Sequence, residues 1–406
     1  LIDVREILFL AHRIPYPPQK GDKIRSWHIL SHLSQRYTVH LACFVDNPDD
    51  WQHVGHLRTV CGECYFAEIK PSIAKLRCLT GLVTGEALTL PFYRDAGLGA
   101  WVQDLVRRRE VDGCYVCSSA MAQYVNGDAF RSMRRVMDFV DVDSEKWRQF
   151  AARKHWPASW LYRREGRKLL QYDRAIAAAF DANVLVSAAE AELFKKLSPG
   201  TAQKTFAIRN GVDSDYFSPE RNYENPYPLG DSPLVLTGAM DYWPNAEAAS
   251  WFAKEVLPSV RQSVPDAAFC IVGSDPLPEV RQLERLTGVT VTGRVPDVRP
   301  YLAHASVAVA PLRIGRGVQN KVLEAMAMAL PVVATPEATQ GLDVSGGTLV
   351  ASDAQTFTDR VVSLLRSADR KEIGSRVRAK VVSDYGWATS LGRLTSLLES
   401  ERAVED

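Results

Sequence analysis

The chain has 406 residues, 49 Lys and Arg against 48 Asp and Glu, and a formal net charge of +1, a balance that argues against a dedicated nucleic-acid binder. An apolar fraction of 46% supplies ample core material, and the length exceeds the range in which one core keeps growing, so two domains are expected. Apolar runs of about 18 residues without a charge are lacking, and Asp3, Arg5 and Glu6 stand where a signal peptide would be apolar; a soluble, cytoplasmic chain is expected.

The first elements read as a βαβ opening: a strand at Ile7 to Leu10, a proline-rich loop, a helix from Lys23 to Gln35 and a strand from Thr38 to Val45. The loop Pro15 to Asp22 ends with Gly21, which lets backbone N–H groups face a cleft. His12 follows the first strand directly, and both a functional and a structural imidazole fit there. Lys23 and Arg25 lie in the first helical turn, where cations oppose the helix dipole, so a compensating anion is expected, with substrate phosphate one candidate.

Apolar stretches near Cys114 to Val116, Val136 to Val140 and Asn183 to Ser187 continue the first sheet. Seven cysteines include the pairs Cys61/Cys64 and Cys114/Cys117. The second pair sits in a strand, where residues three apart point to opposite faces, so buried thiols are expected rather than a metal. Asp141 and Asp143 form a DxD that alternating strand geometry would put on one face. A polar contact or base lining a cleft is expected of Asp138 or Asp141, with no metal.

From Glu145 to Arg174, nine Lys or Arg outnumber three acids and alternate with Trp147, Trp156, Trp160, Tyr162 and Tyr172. Pro157 separates two helices, and Leu169, Tyr172, Ile176 and Phe180 form an apolar stripe on the second. The segment 145–174 fits an anionic membrane surface, and it fits equally an interdomain helix that buries its stripe and solvates its charges.

The Pro-, Asn- and Gly-rich stretch 218–233 reads as a linker between an N-terminal domain, 1–217, and a C-terminal one, 234–385. Strands are expected at Leu234 to Thr237, Ala268 to Val272, Val289 to Thr292, Ser306 to Ala310 and Pro331 to Ala334, with helices between them. Such a doubly wound parallel sheet carries its ligand crevice at the carboxyl ends of its strands. After Ala310 the chain turns at Pro311; Gly315 and Gly317 permit close backbone approach, and a helix starting near Val318 directs free N–H groups toward a phosphate. Arg316 and Lys321 add positive charge, and Glu324, three residues after Lys321, shares its helical face. A surface helix with a satisfied Lys–Glu pair is the plainer reading of that spacing.

This stretch resembles the donor-site signature of the retaining glycosyltransferases of family 4, and Arg209-Asn210-Gly211-Val212-Asp213 with Phe217 and Pro219 matches a second signature of that family. The segments at 138–147, 16–28 and 237–245 resemble a subgroup of exopolysaccharide sugar transferases associated with exosortase (PEP-CTERM) systems. The resemblance implies an α/β GT-B architecture, two facing Rossmann-like doubly wound domains with a cleft between them, and a C-terminal helix, 386–406, packing back on the first domain.

It further implies a nucleotide-diphosphate sugar as donor substrate, a saccharide or lipid-linked acceptor, and no required metal. Gly21 and Gly238 would border the donor, with Gly315, Gly317 and Val318. Gly293-Arg294-Val295 would sit beside the base, with Arg294 stacked on its face. Two departures stand out. The Arg and Lys expected after the glycine of the second domain's first strand are replaced by Ala239 and Pro244-Asn245, and Arg316 stands where the first acid of an acidic pair belongs. Positive charge is expected to have moved to Arg316 and Lys321, with Arg313, leaving Glu324 to the ribose. A sugar-nucleotide epimerase and a non-catalytic scaffold are the competing readings.

Overall fold

The computed structural model describes residues 5–19, 21–152, 154–228, 230, 232–314, 319–343 and 347–399. They divide into two compact units: one runs to Arg209 and takes back the stretch from Leu391, and the other is Asn210–Ser390.

The first unit is built on strands β1 (Glu6–Ala11), β2 (Thr38–Val45), β3 (Cys64–Glu68), β4 (Val111–Cys117), β5 (Arg134–Val140), β6 (Ala182–Leu185) and β7 (Thr205–Ala207). They pair in parallel in the order β3-β2-β1-β4-β5-β6-β7. Helices α1 (Gly21–Ser34), α2 (Pro71–Cys78), α3 (Thr80–Thr84), α4 (Asp143–Ala152) and α5 (Ala158–Ala179) belong to the same unit. Parallel strands covered on both faces read as near-continuous apolar runs, and β1 buries its last five residues accordingly. Leu8, Leu10, Phe44, Val116 and Met137 from the strands meet Ile176 and Phe180 in one core.

The second unit carries β8 (Ser232–Thr237), β9 (Ala267–Val272), β10 (Val289–Gly293), β11 (Val307–Ala310), β12 (Val332–Ala334) and β13 (Leu349–Val350), parallel in the order β10-β9-β8-β11-β12-β13. Helices α6 (Trp243–Trp251) and α7 (Asn320–Ala327) follow β8 and β11. Helix α8 (Trp387–Glu399) leads back to the first unit, where Tyr37 donates to Glu399 at 2.7 Å and Arg134 donates to the Leu397 carbonyl at 3.0 Å.

Two doubly wound parallel sheets therefore form, as the α/β reading expects. Three edge or near-edge strands, β3, β7 and β13, are absent from the sequence reading. β7 and β13 have three and two residues, too few for an apolar period to register, and β3 is only partly buried.

The DxD is not on a strand. β5 ends at Val140, which adopts φ 67°, Asp141 lies in the turn, and Asp143 opens α4. The apolar stripe of 145–174 is also settled: Leu169, Ile176 and Phe180 are buried in the first unit's interior, with Tyr172 packed against them. That stripe is core and cannot meet a membrane.

Candidate functional site

In each sheet the chain builds outward from the first strand to one side, then returns to build on the other. The reversal falls between β1 and β4 in the first unit and between β8 and β11 in the second. Ligands in open α/β sheets bind outside the carboxyl ends of the strands at such a point.

In the second unit Gly238 follows β8 with φ 150°. A Cβ built on Gly273, just after β9, would lie 1.6 Å from the Gly238 carbonyl oxygen. Two backbones thus cross where no side chain fits. A Cβ on Gly238 itself would stand 2.8 Å from the Asn245 amide nitrogen and 3.3 Å from Lys321 Nζ, so the glycine opens room directly in front of an ammonium group.

Lys321 sits in the first turn of α7, where the helix's early N–H groups lack intrahelical acceptors. Its Nζ donates to Asn245 Oδ1 at 2.5 Å, and Asn245 Nδ2 donates to the Ala239 carbonyl at 2.8 Å. Among the described residues no ion pair joins Lys321 to Glu324, so the satisfied surface pair of the plainer reading is not what forms. Burial lowers the Lys321 pKa to about 8, partly offset by Glu324. Burial raises Glu324 to about 7, partly offset by Lys321. Both groups are half-buried without a full countercharge, a condition that favours an incoming polar ligand.

The neighbouring turn carries Gly293, with φ 70°, whose carbonyl accepts from the Gly273 amide at 3.2 Å. Arg294 is exposed and, among the described residues, reaches Asp275 at 3.5 Å, and Val295 packs partly against the core. Asp297 grips Arg299 at 2.7 Å, and that guanidinium lies 3.8 Å from the centroid of the Tyr216 ring. Burial raises the Tyr216 pKa, with Asp297 and Glu324 adding to the rise and Arg299 opposing it. Asn210 donates to Asn320 at 3.2 Å, which ties the Arg209–Asp213 signature to the start of α7. Arg313 pairs with Glu247 at 3.3 Å. Gly315, Arg316, Gly317 and Val318 lie outside the described residues.

The first unit corrects the expectations for Lys23, Arg25 and Asp138. Lys23 meets buried Asp50 at 2.6 Å. Arg25 and Asp138, both fully buried, form a two-point ion pair at 2.7 and 3.1 Å. Tyr115 donates to Asp138 at 2.7 Å and Arg25 to the Ile208 carbonyl at 2.9 Å. The compensating anions are therefore internal carboxylates, and Asp138 is consumed by the fold instead of lining an acceptor.

Gly21 opens α1 and is exposed. Beside it Asp22 accepts from Arg13 at 2.5 Å and lies 3.2 Å from His12 Nε2. Burial works to raise the Asp22 pKa, but His12 and Arg13 overcome it and hold the carboxyl well below its usual range. Asp141 and Asp143 both close on Lys146, at 2.8 and 2.9 Å, so an ammonium occupies the space a divalent ion would need. Among the described residues no group of three His, Cys, Asp or Glu could hold a metal ion. Cys114 and Cys117 are both buried.

Sequence reasoning passed over Asn245 and Gly273. The first was noted only as a departure; the second has a signal, a glycine directly after the apolar run FCIV.

Residues 232–367 match the family model described as Glycosyl transferases group 1. The chain is 30% identical over 218 residues to the GDP-mannose-dependent alpha-(1-6)-phosphatidylinositol monomannoside mannosyltransferase of Mycolicibacterium smegmatis, covering 47% of this chain and 55% of that protein. The protein of the same description from Mycobacterium tuberculosis H37Rv is 30% identical over 232 residues, 50% of this chain and 58% of the relative. The chain thus spans little more than half the length of the curated relatives it matches. Among solved structures, Anabaena Alr3699/HepE in complex with UDP and glucose superposes with a TM-score of 0.68 at 16% identity, covering 98% of this chain and all of that one. WaaG, a glycosyltransferase involved in lipopolysaccharide biosynthesis, gives 0.64 at 16% identity, covering 97% of this chain and all of WaaG. At these identities the structures share the GT-B fold, and the match to the Glycosyl transferases group 1 model is confined to 232–367, over the second unit's sheet.

Proposed function

We propose that the protein is a retaining glycosyltransferase that moves a hexose from a nucleotide diphosphate to a lipid-linked or oligosaccharide acceptor in exopolysaccharide biosynthesis, on the cytoplasmic side of the membrane. The segments resembling exosortase-associated transferases support the pathway assignment. The observation that carries the reading is the half-buried, depressed Lys321 ammonium held by Asn245 across from the Gly238–Gly273 backbone crossing.

In this reading the diphosphate lies over the α7 N-terminus, with Lys321 and Arg316 neutralising it. Glu324 accepts from the ribose hydroxyls, and Arg294 covers the base. The leaving diphosphate itself assists acceptor deprotonation on the same face, so no protein nucleophile is required. The protein supplies position and charge. Asp141, paired with Lys146, is left with a buried Oδ1 lacking a partner, which suits a polar acceptor contact. No metal is required.

The mannosyltransferase relatives make GDP-mannose the first donor to test and UDP-glucose the second. Purified protein incubated with each donor, with and without a saccharide or lipid-linked acceptor, decides the class. Acceptor-dependent release of the nucleoside diphosphate is expected. Conversion of the nucleotide sugar without acceptor indicates an epimerase, and binding without turnover of any donor indicates a scaffold.

A further inference from the structure

The first unit exposes an apolar ridge that the donor chemistry does not use. On α2, α3 and the joint between them, Ile73, Leu76, Leu79, Leu82 and Val83 recur at three- and four-residue spacing and are exposed, from 40% at Leu82 to 90% at Val83. Ala74 and Gly81 turn inward instead. Trp156 and Trp160, 81% and 54% exposed, flank the start of α5, one turn before Arg164.

These elements are locked together. Arg164 donates to the Gly81 carbonyl at 2.6 Å and to the Glu86 carbonyl at 3.2 Å. Glu165 accepts from the Leu88 and Thr89 amides at 2.7 and 2.9 Å. The Arg164 bond fixes α3, and the Glu165 bonds the segment after it, against the first turns of α5, which brings the aliphatic ridge near Trp160, one turn before Arg164. A soluble protein rarely leaves so many large apolar side chains together in water without a use for them.

Cations dominate around the ridge, and the flanking acids are paired, Glu68 with Lys70 at 3.7 Å and Glu86 with Arg94 at 2.8 Å. Lys70, Lys75 and Arg77 lie along 70–84, a stretch without a single acid. Lys154, Arg163 and Arg167 are exposed near the tryptophans, and the one acid between Lys154 and Lys168, Glu165, is buried on backbone amides. Aliphatic residues at the centre, tryptophans beside them and a cationic rim match the layering of a bilayer with an anionic surface: acyl chains, interface, phosphate. None of the described helices is long and apolar enough to cross a membrane, so the contact lies on one leaflet.

From these features we infer that the face formed by Ile73, Leu76, Leu79, Leu82, Val83, Trp156 and Trp160 docks the protein on an anionic phospholipid surface. This differs from a role for the α5 stripe, which is buried. The inference deepens the proposed function, since a lipid-linked acceptor would share that surface, and it rests on that reading only for its purpose. Vesicle binding needs no sugar transfer, so either idea can fail alone.

The test is cosedimentation of the full chain with vesicles of equimolar phosphatidylcholine and phosphatidylglycerol, and with pure phosphatidylcholine. The wild type is expected to bind the anionic vesicles, less so as salt rises. The double variant Leu82→Ser, Val83→Ser is expected to bind at least about tenfold more weakly. Lys75→Glu should lose about fivefold or more on anionic vesicles and little on neutral ones. An unchanged melting temperature and nucleotide affinity keep the variants interpretable; should the double variant unfold, Lys75→Glu alone decides. No sedimentation at low salt, or binding that both variants retain in full, overturns the inference. A concentration-dependent dimer abolished by the same serine substitutions also overturns it, because a second copy would then cover the face.

Discussion

Lys321 and Asn245 are joined by a 2.5 Å hydrogen bond from Nζ to Oδ1, and the amide is itself oriented by its 2.8 Å bond to the Ala239 carbonyl. Asn245, in the Pro244-Asn245 stretch where the family resemblance implies a lysine, thus holds a lysine of α7. Asn245→Asp would put a carboxylate on that ammonium and in competition with any phosphate. Its nucleoside diphosphate affinity is expected to fall by about tenfold or more, measured by calorimetry; an unchanged affinity would separate Asn245 from the donor site.

The pH dependence follows from the two shifted groups. Lys321 carries a lowered pKa of about 8, and a bound phosphate raises it again, so affinity is lost as pH rises past 8. Glu324 has a raised pKa of about 7, and an ionised carboxylate is the better acceptor for ribose hydroxyls, so affinity is gained as pH rises through 7. Nucleotide affinity should peak between these values. Glu324→Gln should flatten the acid side and, by removing the charge that partly sustains the Lys321 ammonium, move the alkaline side to lower pH, as isothermal titrations across pH would show.

Gly273→Ala inserts a methyl group at 1.6 Å from the Gly238 carbonyl oxygen, a backbone clash that no rotamer relieves. A loss of about 2–3 kcal/mol or more in the second unit's stability is expected, read by denaturant unfolding. A wild-type unfolding midpoint would mean the two backbones do not cross.

Arg25→Ala leaves Asp138 charged and buried without its main partner. A cost of about 3–5 kcal/mol is typical of such a break, and the first unit should unfold at lower denaturant. Donor-nucleotide affinity measured on folded protein should be unchanged, because the pair serves the fold.

The alternation of apolar strands and helices made both sheets legible, since buried parallel strands leave continuous runs such as FCIV and VAVA. The placement of Lys321 and Glu324 in the first turns of a helix was legible for a similar reason, as a loop-to-helix junction has a local pattern. Pairings between distant residues were not. Nothing near Arg25 announces Asp138, which lies 113 positions away, so an internal ion pair looked like a vacancy for substrate. Asp141 and Asp143 followed the period of a strand on paper, but the positive φ of Val140 ends β5 first. The α5 stripe and the exposed ridge of α2 and α3 have comparable apolar patterns. Only packing tells which of them is covered.

The most direct test of the donor site is calorimetric titration of the wild type and Lys321→Ala with GDP, UDP, ADP and dTDP. A charge-assisted hydrogen bond contributes about 1.5–3 kcal/mol, so selective binding of one nucleotide, weakened roughly ten- to a hundredfold by the substitution, is the expected result. Equal affinity in a folded Lys321→Ala protein would contradict the assignment.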